Sequence, residues 1–151
     1  MTCLSLDTPT GRFWLRASDG AITAAAWHPL GPEAPSPLLE EAAAQIRAYY
    51  AGQRQDFDLP LRVTGGAFQQ AVCAEIAAIP FGQTRTYGEL ARRLDRPAQA
   101  VGQGCGGNPI PLLIPCHRVL SATGLGEFSS DGGIETKVWL LKHEGAAGLL
   151  I

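Results

Sequence analysis

Asp19-Gly20 stands between two runs of alternating apolar residues, Arg12 to Ala17 and Ala21 to Trp27. That arrangement commits the start of the chain to an antiparallel hairpin, because a tight two-residue loop needs positive φ at both centres and Asp and Gly tolerate it. Thr2 to Asp7 alternates as well, and Pro9-Thr10-Gly11 supplies turn chemistry before the next run. A three-stranded meander is therefore expected. After the proline-rich stretch Pro29 to Pro37 the period changes from two to 3.6. A helix is expected over Leu38 to Tyr50, with Leu39, Ala42, Ala43, Ile46 and Tyr50 on its buried stripe and Gly52 ending it.

Residues 53–64 read as a connection with one short strand near Phe57 to Leu61. Helical spacing then dominates. Phe68, Val72, Ile76 and Ile79 mark one face of a helix stopped by Pro80. Thr86 followed three residues later by Glu89 is a capping box for a short helix, Tyr87 to Leu94. Pro97, at the first helical position, opens a second short helix to about Gly104, and Asn108-Pro109 stops it. Leu112 to Ile114 reads as a short buried strand leading into Pro115-Cys116. The glycine-rich run 124–133 reads as a loop, and the last helix spans Ile134 to His143 with Ile134, Val138 and Leu141 inward. The expected class is α+β: an N-terminal sheet-plus-helix lobe over 1–60, then a mainly helical lobe over 61–151.

With 151 residues, 46% hydrophobic and 17% charged, the chain can bury a core and is not a disordered tail. No apolar run reaches membrane-spanning length, so no membrane partner is expected. Nor does the N-terminus carry a basic segment followed by an apolar one, so a cytoplasmic monomer is the expectation. The four cysteines, Cys3, Cys73, Cys105 and Cys116, form no C-x-x-C pair and have no zinc-finger spacing. They read as free thiols, with neither metal nor cofactor.

The formal net charge is −2, yet it is unevenly spread. Residues 1–60 hold four arginines against seven acids, whereas 82–118 hold Arg85, Arg92, Arg93, Arg96 and Arg118 against Glu89 and Asp95. One basic face beside an acidic lobe suits a polyanion, although a mixed solvated surface fits the same numbers. The two short helices form a helix-turn-helix candidate. Its second helix, Pro97-Ala98-Gln99-Ala100-Val101-Gly102-Gln103-Gly104, offers few side chains for base edges. Each glycine costs about 1 kcal/mol relative to alanine. Either this surface presses into a narrow partner such as the minor groove, about 6 Å wide, or it packs tightly within its own domain.

Ile114-Pro115-Cys116-His117-Arg118-Val119 carries the chemistry. A nucleophilic cysteine needs thiolate character, and the neighbouring His117 and Arg118 are candidates to supply it. On an extended segment Cys116 and His117 would point apart, so a water relay between thiol and imidazole is expected. The imidazole needs a third group to fix its tautomer, and Glu144 is the best candidate.

Five segments in one order resemble the O6-alkylguanine-DNA alkyltransferase family. They are Thr86-Tyr87-Gly88-Glu89-Leu90-Ala91, Ala100-Val101-Gly102, Gly107-Asn108-Pro109, Pro115-Cys116-His117-Arg118-Val119 and Trp139-Leu140-Leu141-Lys142-His143-Glu144-Gly145. The likeness spans about residues 66–146. It implies minor-groove binding of double- or single-stranded DNA containing alkylated guanine, extrusion of the damaged base, and irreversible transfer of the alkyl group to Cys116. It implies that His117 is the water-mediated base, that Glu144 orients it, and that Asn108 braces the turn. Tyr87 would contact the flipped base and its phosphate. Ala98, Gln99, Ala100, Gly102 and Arg118 would lie on the DNA side. The backbone carbonyls of Cys116 and Val119 would accept from the guanine amino group, with Ser129 near the guanine oxygen.

Three departures from the family pattern stand out. Gln99 occupies the place of the usual arginine that fills the gap left by the flipped base, so a lesion-binding protein without transfer is the main rival reading. The 126–133 loop is longer by two residues, with Phe128 where tyrosine is frequent, and the N-terminal lobe lacks the zinc set of some relatives. A cysteine hydrolase would need an oxyanion hole and an acyl substrate, and the sequence points to neither.

Overall fold

The structure is a computed structural model that describes residues 1–126 and 133–146. Strands β1 (Thr2–Thr8), β2 (Gly11–Ser18) and β3 (Ala21–Ala26) form an antiparallel meander in that order. Leu4 faces Leu15 and Leu6 faces Phe13 across the first pair. Asp19 and Gly20 take φ of 51° and 79°, the conformation the hairpin requires. Helix α1 (Pro37–Tyr50) lies across this sheet, capped by the Ser36 hydroxyl, which accepts from the Leu39 N–H at 3.3 Å. Its buried stripe is Leu39, Ala42, Ala43, Ile46 and Tyr49 rather than Tyr50. Helical drift over three turns brings Tyr49 inward and leaves Tyr50 at the edge, hydrogen-bonded to Thr10 at 2.7 Å.

Segment 57–61 is not a strand. Its end is stitched to β3 by the Ile22 N–H donating to the Pro60 carbonyl (2.8 Å) and the Arg62 N–H donating to that of Ile22 (2.9 Å). Further along, the Ala25 N–H donates to the Pro109 carbonyl at 3.0 Å. The sheet thus anchors both the connection between the lobes and the approach to Cys116.

Helix α2 (Ala67–Ala77) buries Val72, Cys73 and Ile76. The short strand β4 (Arg85–Thr86) leads into α3 (Tyr87–Leu94), whose capping box between Thr86 and Glu89 is formed in both directions. Pro97 is the N-cap of α4 (Ala98–Gly106), extended at ψ 144°, and not its first helical residue. Gly104 lies against α2, where an added Cβ would stand 2.9 Å from Val72 Cγ2, whereas Gly102 has open space. The two explanations for these small residues therefore divide between them.

The stretch before Cys116 is a turn, not a strand. Pro109 and Pro111 remove ladder donors, Leu112 adopts φ 72°, and the Ile114 N–H closes back on the Ile110 carbonyl at 2.9 Å. A one-turn 3-10 helix, Cys116–Arg118, follows, and then β5 (Val119–Leu120), which pairs in parallel with β4. That pairing sets the start of α3, with Tyr87, beside the Cys116 turn.

Helix α5 (Gly133–Glu144) buries Thr136, Lys137, Leu140, Leu141 and Glu144. Ile134 is 42% exposed, so the helix is rotated from the expected phase. The architecture is α+β with two lobes, and no helix among the described residues is long and apolar enough to cross a membrane.

Candidate active site

Cys116 is held by two nested turns. Pro115 has φ −81° and ψ 65°, and the Cys116 N–H donates to the Ile114 carbonyl at 2.8 Å, which is an inverse γ-turn. Asn108 braces the same loop. Its Nδ2 donates to the Ile114 carbonyl at 2.9 Å, and its Oδ1 accepts from the Ile110 N–H at 3.0 Å. The turn is therefore shaped by Pro109, Pro111, Pro115 and Asn108.

On the 3-10 turn His117 points inward and is wholly buried. Its Nε2 lies 2.8 Å from Glu144 Oε2. A carboxylate at that distance makes Nε2 the proton-bearing nitrogen. Nδ1 is left as a buried lone pair with no hydrogen-bond partner among the described residues. Glu144 also receives Arg118, Nε to Oε1 at 2.8 Å and NH2 to Oε2 at 3.0 Å, and the Tyr49 hydroxyl at 2.6 Å. Burial would raise the Glu144 carboxyl, but the donors from His117 and Arg118 outweigh it and hold it at about 2.

Arg118 was expected on the DNA side. It is instead 6% exposed, clamped to Glu144 and to the Ile79 carbonyl at 2.6 Å. Its cost of burial is offset by the carboxylate it faces, so it organises the site rather than meeting a phosphate.

The resting thiol differs from expectation. Burial pushes Cys116 up to about 11, and the Asn108 side chain and Lys137 ammonium pull it down only in part. A thiol in that state needs a base to take its proton as it reacts. Neighbouring Cys105, on α4, is pushed up to about 12 by burial and by Cys116 itself. Both thiols, with Asn108 and Pro111, line a cleft of about 330 Å³ under β3.

Lys137 and Tyr49 were not singled out in the sequence. Lys137 is fully buried, donates to the Val119 carbonyl at 2.6 Å, and is lowered to about 8 by burial despite the two thiols. A lysine three, four and seven residues before Leu140, Leu141 and Glu144 is the readable sign of an inward-facing charge. For Tyr49, 95 positions from Glu144, the sequence carries no comparable sign.

The outer face carries the remaining candidates. Ala98 and Gln99 are exposed on α4, and Ala100 and Gly102 are half-buried. Tyr87 is half-buried against Gly126, where a Cβ would stand 3.0 Å from its ring and where φ is 72°. Arg92, Arg93 and Arg96 are exposed, although Arg93 pairs with Glu75 at 2.7 Å and Arg96 lies over the Phe68 ring. Ser129 and Phe128 fall outside the described residues. Among the described residues no group of three His, Cys, Asp or Glu side chains could hold a metal ion.

Residues 67–146 match the family model described as 6-O-methylguanine DNA methyltransferase, DNA binding domain. Residues 1–63 match its ribonuclease-like domain. The chain belongs to the 6-O-methylguanine DNA methyltransferase family. Within that family it is 35% identical over 156 residues to the methylated-DNA--protein-cysteine methyltransferase of Mycobacterium leprae, covering 94% of this chain and 91% of that protein. It is 40% identical over 146 residues to a Thermus thermophilus protein named DNA base-flipping protein, covering 93% of this chain and 98% of the relative. The crystal structure of Mycobacterium tuberculosis OGT in complex with DNA superimposes with a TM-score of 0.87 at 36% identity. It covers 96% of this chain and 93% of that one.

Proposed function

We propose that this member of the family repairs O6-alkylguanine in DNA, moving the alkyl group onto Cys116 once and irreversibly. The observation that carries the reading is the buried His117–Glu144 pair, one residue from a cysteine on a braced turn, with His117 Nδ1 open as an acceptor.

The chemistry follows from those positions. A water joining Sγ to His117 Nδ1 passes the thiol proton to the imidazole, and Glu144 stabilises the imidazolium that forms. Sulfur attacks the alkyl carbon, the S–C bond forms and the C–O6 bond breaks. The departing guanine oxygen takes the electron pair, and the proton taken up by His117 passes through water to the base, which leaves neutral guanine and a neutral imidazole. The thioether has no leaving group and no reductant reverses it, so each chain acts once.

The base must leave the stack to reach a thiol this buried. In this reading α4 enters the minor groove through Ala98, Gln99, Ala100 and Gly102, whose small surface suits a narrow groove. Tyr87, which directly follows the strand β4 paired with β5, meets the extruded base. The carbonyls of Cys116 and Val119 accept from the guanine amino group. The partner is alkylated DNA, met by a monomer with lobes 1–60 and 61–151.

A second reading, lesion binding without transfer, is favoured by Gln99 at the gap-filling position and by the likeness to the Thermus protein. The test is the fate of the DNA base. Transfer converts O6-methylguanine to guanine in one equivalent per chain and is lost in Cys116→Ser. Retention of O6-methylguanine in a tight complex supports the binding reading.

A further inference from the structure

We propose that Tyr49, on the helix of the N-terminal lobe, is a positioning residue for the reaction at Cys116: its hydroxyl tunes the carboxylate that holds His117. The inference rests on the repair reading for its chemistry, but the contact itself does not.

Glu144 Oε2 is the shared atom. It accepts the Tyr49 hydroxyl at 2.6 Å, lies 2.8 Å from His117 Nε2, and accepts Arg118 NH2 at 3.0 Å. Tyr49 is fully buried, and its ring is held by edge contacts with Tyr50, Phe81 and His143. Its carbonyl also meets His143 Nε2 at 2.8 Å. The end of α1 therefore grips the end of α5 at two successive residues, once through backbone and once through the hydroxyl.

A strong donor on a carboxylate oxygen lowers that oxygen's basicity. A less basic Oε2 pulls less on the Nε2 proton, so His117 is less readily doubly protonated and its Nδ1 lone pair stays available. The groups around the pair are Tyr49 from α1, Arg118 and Cys116 from the 3-10 turn, and Lys137 and His143 from α5. Arg118 anchors the carboxylate through both oxygens, and Tyr49 adds a third donor to the one oxygen that faces His117. Without the hydroxyl, His117 takes a proton at higher pH and is lost as a base sooner on acidification. A tyrosine that only packs the lobes together would alter stability, and with it the rate by one factor at all pH values.

The test compares wild type, Tyr49→Phe and Tyr50→Phe as full chains. Tyr50 is the control because its hydroxyl bonds Thr10 and not Glu144. Single-turnover methyl transfer from an O6-methylguanine oligonucleotide is followed across pH, and His117 is titrated by NMR on labelled imidazole. Tyr49→Phe is expected to be about fivefold slower near pH 6 and within about twofold of wild type near pH 9. Its His117 midpoint moves to higher pH, and Tyr50→Phe follows wild type. An unchanged His117 titration in Tyr49→Phe, or a slowing by the same factor at every pH, overturns the proposal. If wild type transfers no methyl group the repair reading falls alone, and the His117 titration still decides the role of Tyr49.

Discussion

Arg118 grips both oxygens of Glu144, Nε to Oε1 at 2.8 Å and NH2 to Oε2 at 3.0 Å, from the residue directly after His117. The same short turn therefore presents the imidazole to the carboxylate and neutralises that carboxylate. Removing one member of a buried pair strands the other charge, at a cost of about 3–5 kcal/mol. Arg118→Met should lose that much in urea denaturation. It should also slow the reaction of Cys116 at neutral pH, because an unclamped Glu144 no longer fixes His117.

Acid should reach the site through Glu144. Its folded value lies below the ordinary 4.5, so its contribution to stability is complete above that value and disappears as the pH falls toward about 2. Glu144→Gln has no such titration. Urea midpoints measured through that window should fall more steeply for wild type than for the variant.

Lys137 should set how readily the thiol ionises. Its ammonium is one of the influences that lower Cys116 against burial. Lys137→Met removes that help, so alkylation of Cys116 by iodoacetamide should require higher pH than in wild type. A lysine lowered to about 8 releases its proton in the folded state before the unfolded chain does. The Lys137 contribution to stability should therefore rise with pH between about 8 and the ordinary lysine value, so wild type should gain on the variant across that window.

Gly102 and Gly104 of α4 should respond in opposite directions. Gly104→Ala drives a Cβ to 2.9 Å from Val72 and should destabilise by about 1–3 kcal/mol, more than the helix propensity it gains. Gly102→Ala meets nothing within 4 Å and should stabilise by up to about 1 kcal/mol. If α4 enters the minor groove, that stabilised variant should bind DNA more weakly. Thermal melting and DNA titration together separate the two effects.

If Gln99 fills the gap left by a flipped base, it does so without the charge of an arginine. Methyl transfer should therefore be faster on single strands than on duplex, and Gln99→Arg should narrow the difference. Rates on the two substrates, measured for both proteins, check this.

Local chemistry was legible in the sequence where it was local in cause. The Asp19-Gly20 turn, the Thr86–Glu89 capping box and the Asn108–Pro109 stop each depend on neighbours within a few positions. The run Leu112 to Ile114 looked like a strand because short apolar stretches carry no period, and its turn is imposed by flanking prolines and the Asn108 side chain. The phase of α5 is hidden for the opposite reason. Its inward face carries Thr136, Lys137 and Glu144, so apolar spacing alone points to Ile134, which lies on the outer side. The need of an imidazole for a third group, together with the family resemblance, singles out Glu144 as the partner of His117. The motif around Cys116 gives no sign that Arg118 is buried, nor that Tyr49 completes the carboxylate from another lobe, because such contacts exist only after the chain has packed.

The central claim is that Cys116 is the acceptor of the alkyl group. Its most direct test is peptide mass mapping after incubation with DNA bearing one O6-methylguanine. One added methyl on the peptide that contains Cys116, at one per chain and absent in Cys116→Ser, is the predicted result. A stable complex in which that peptide keeps its original mass would contradict it.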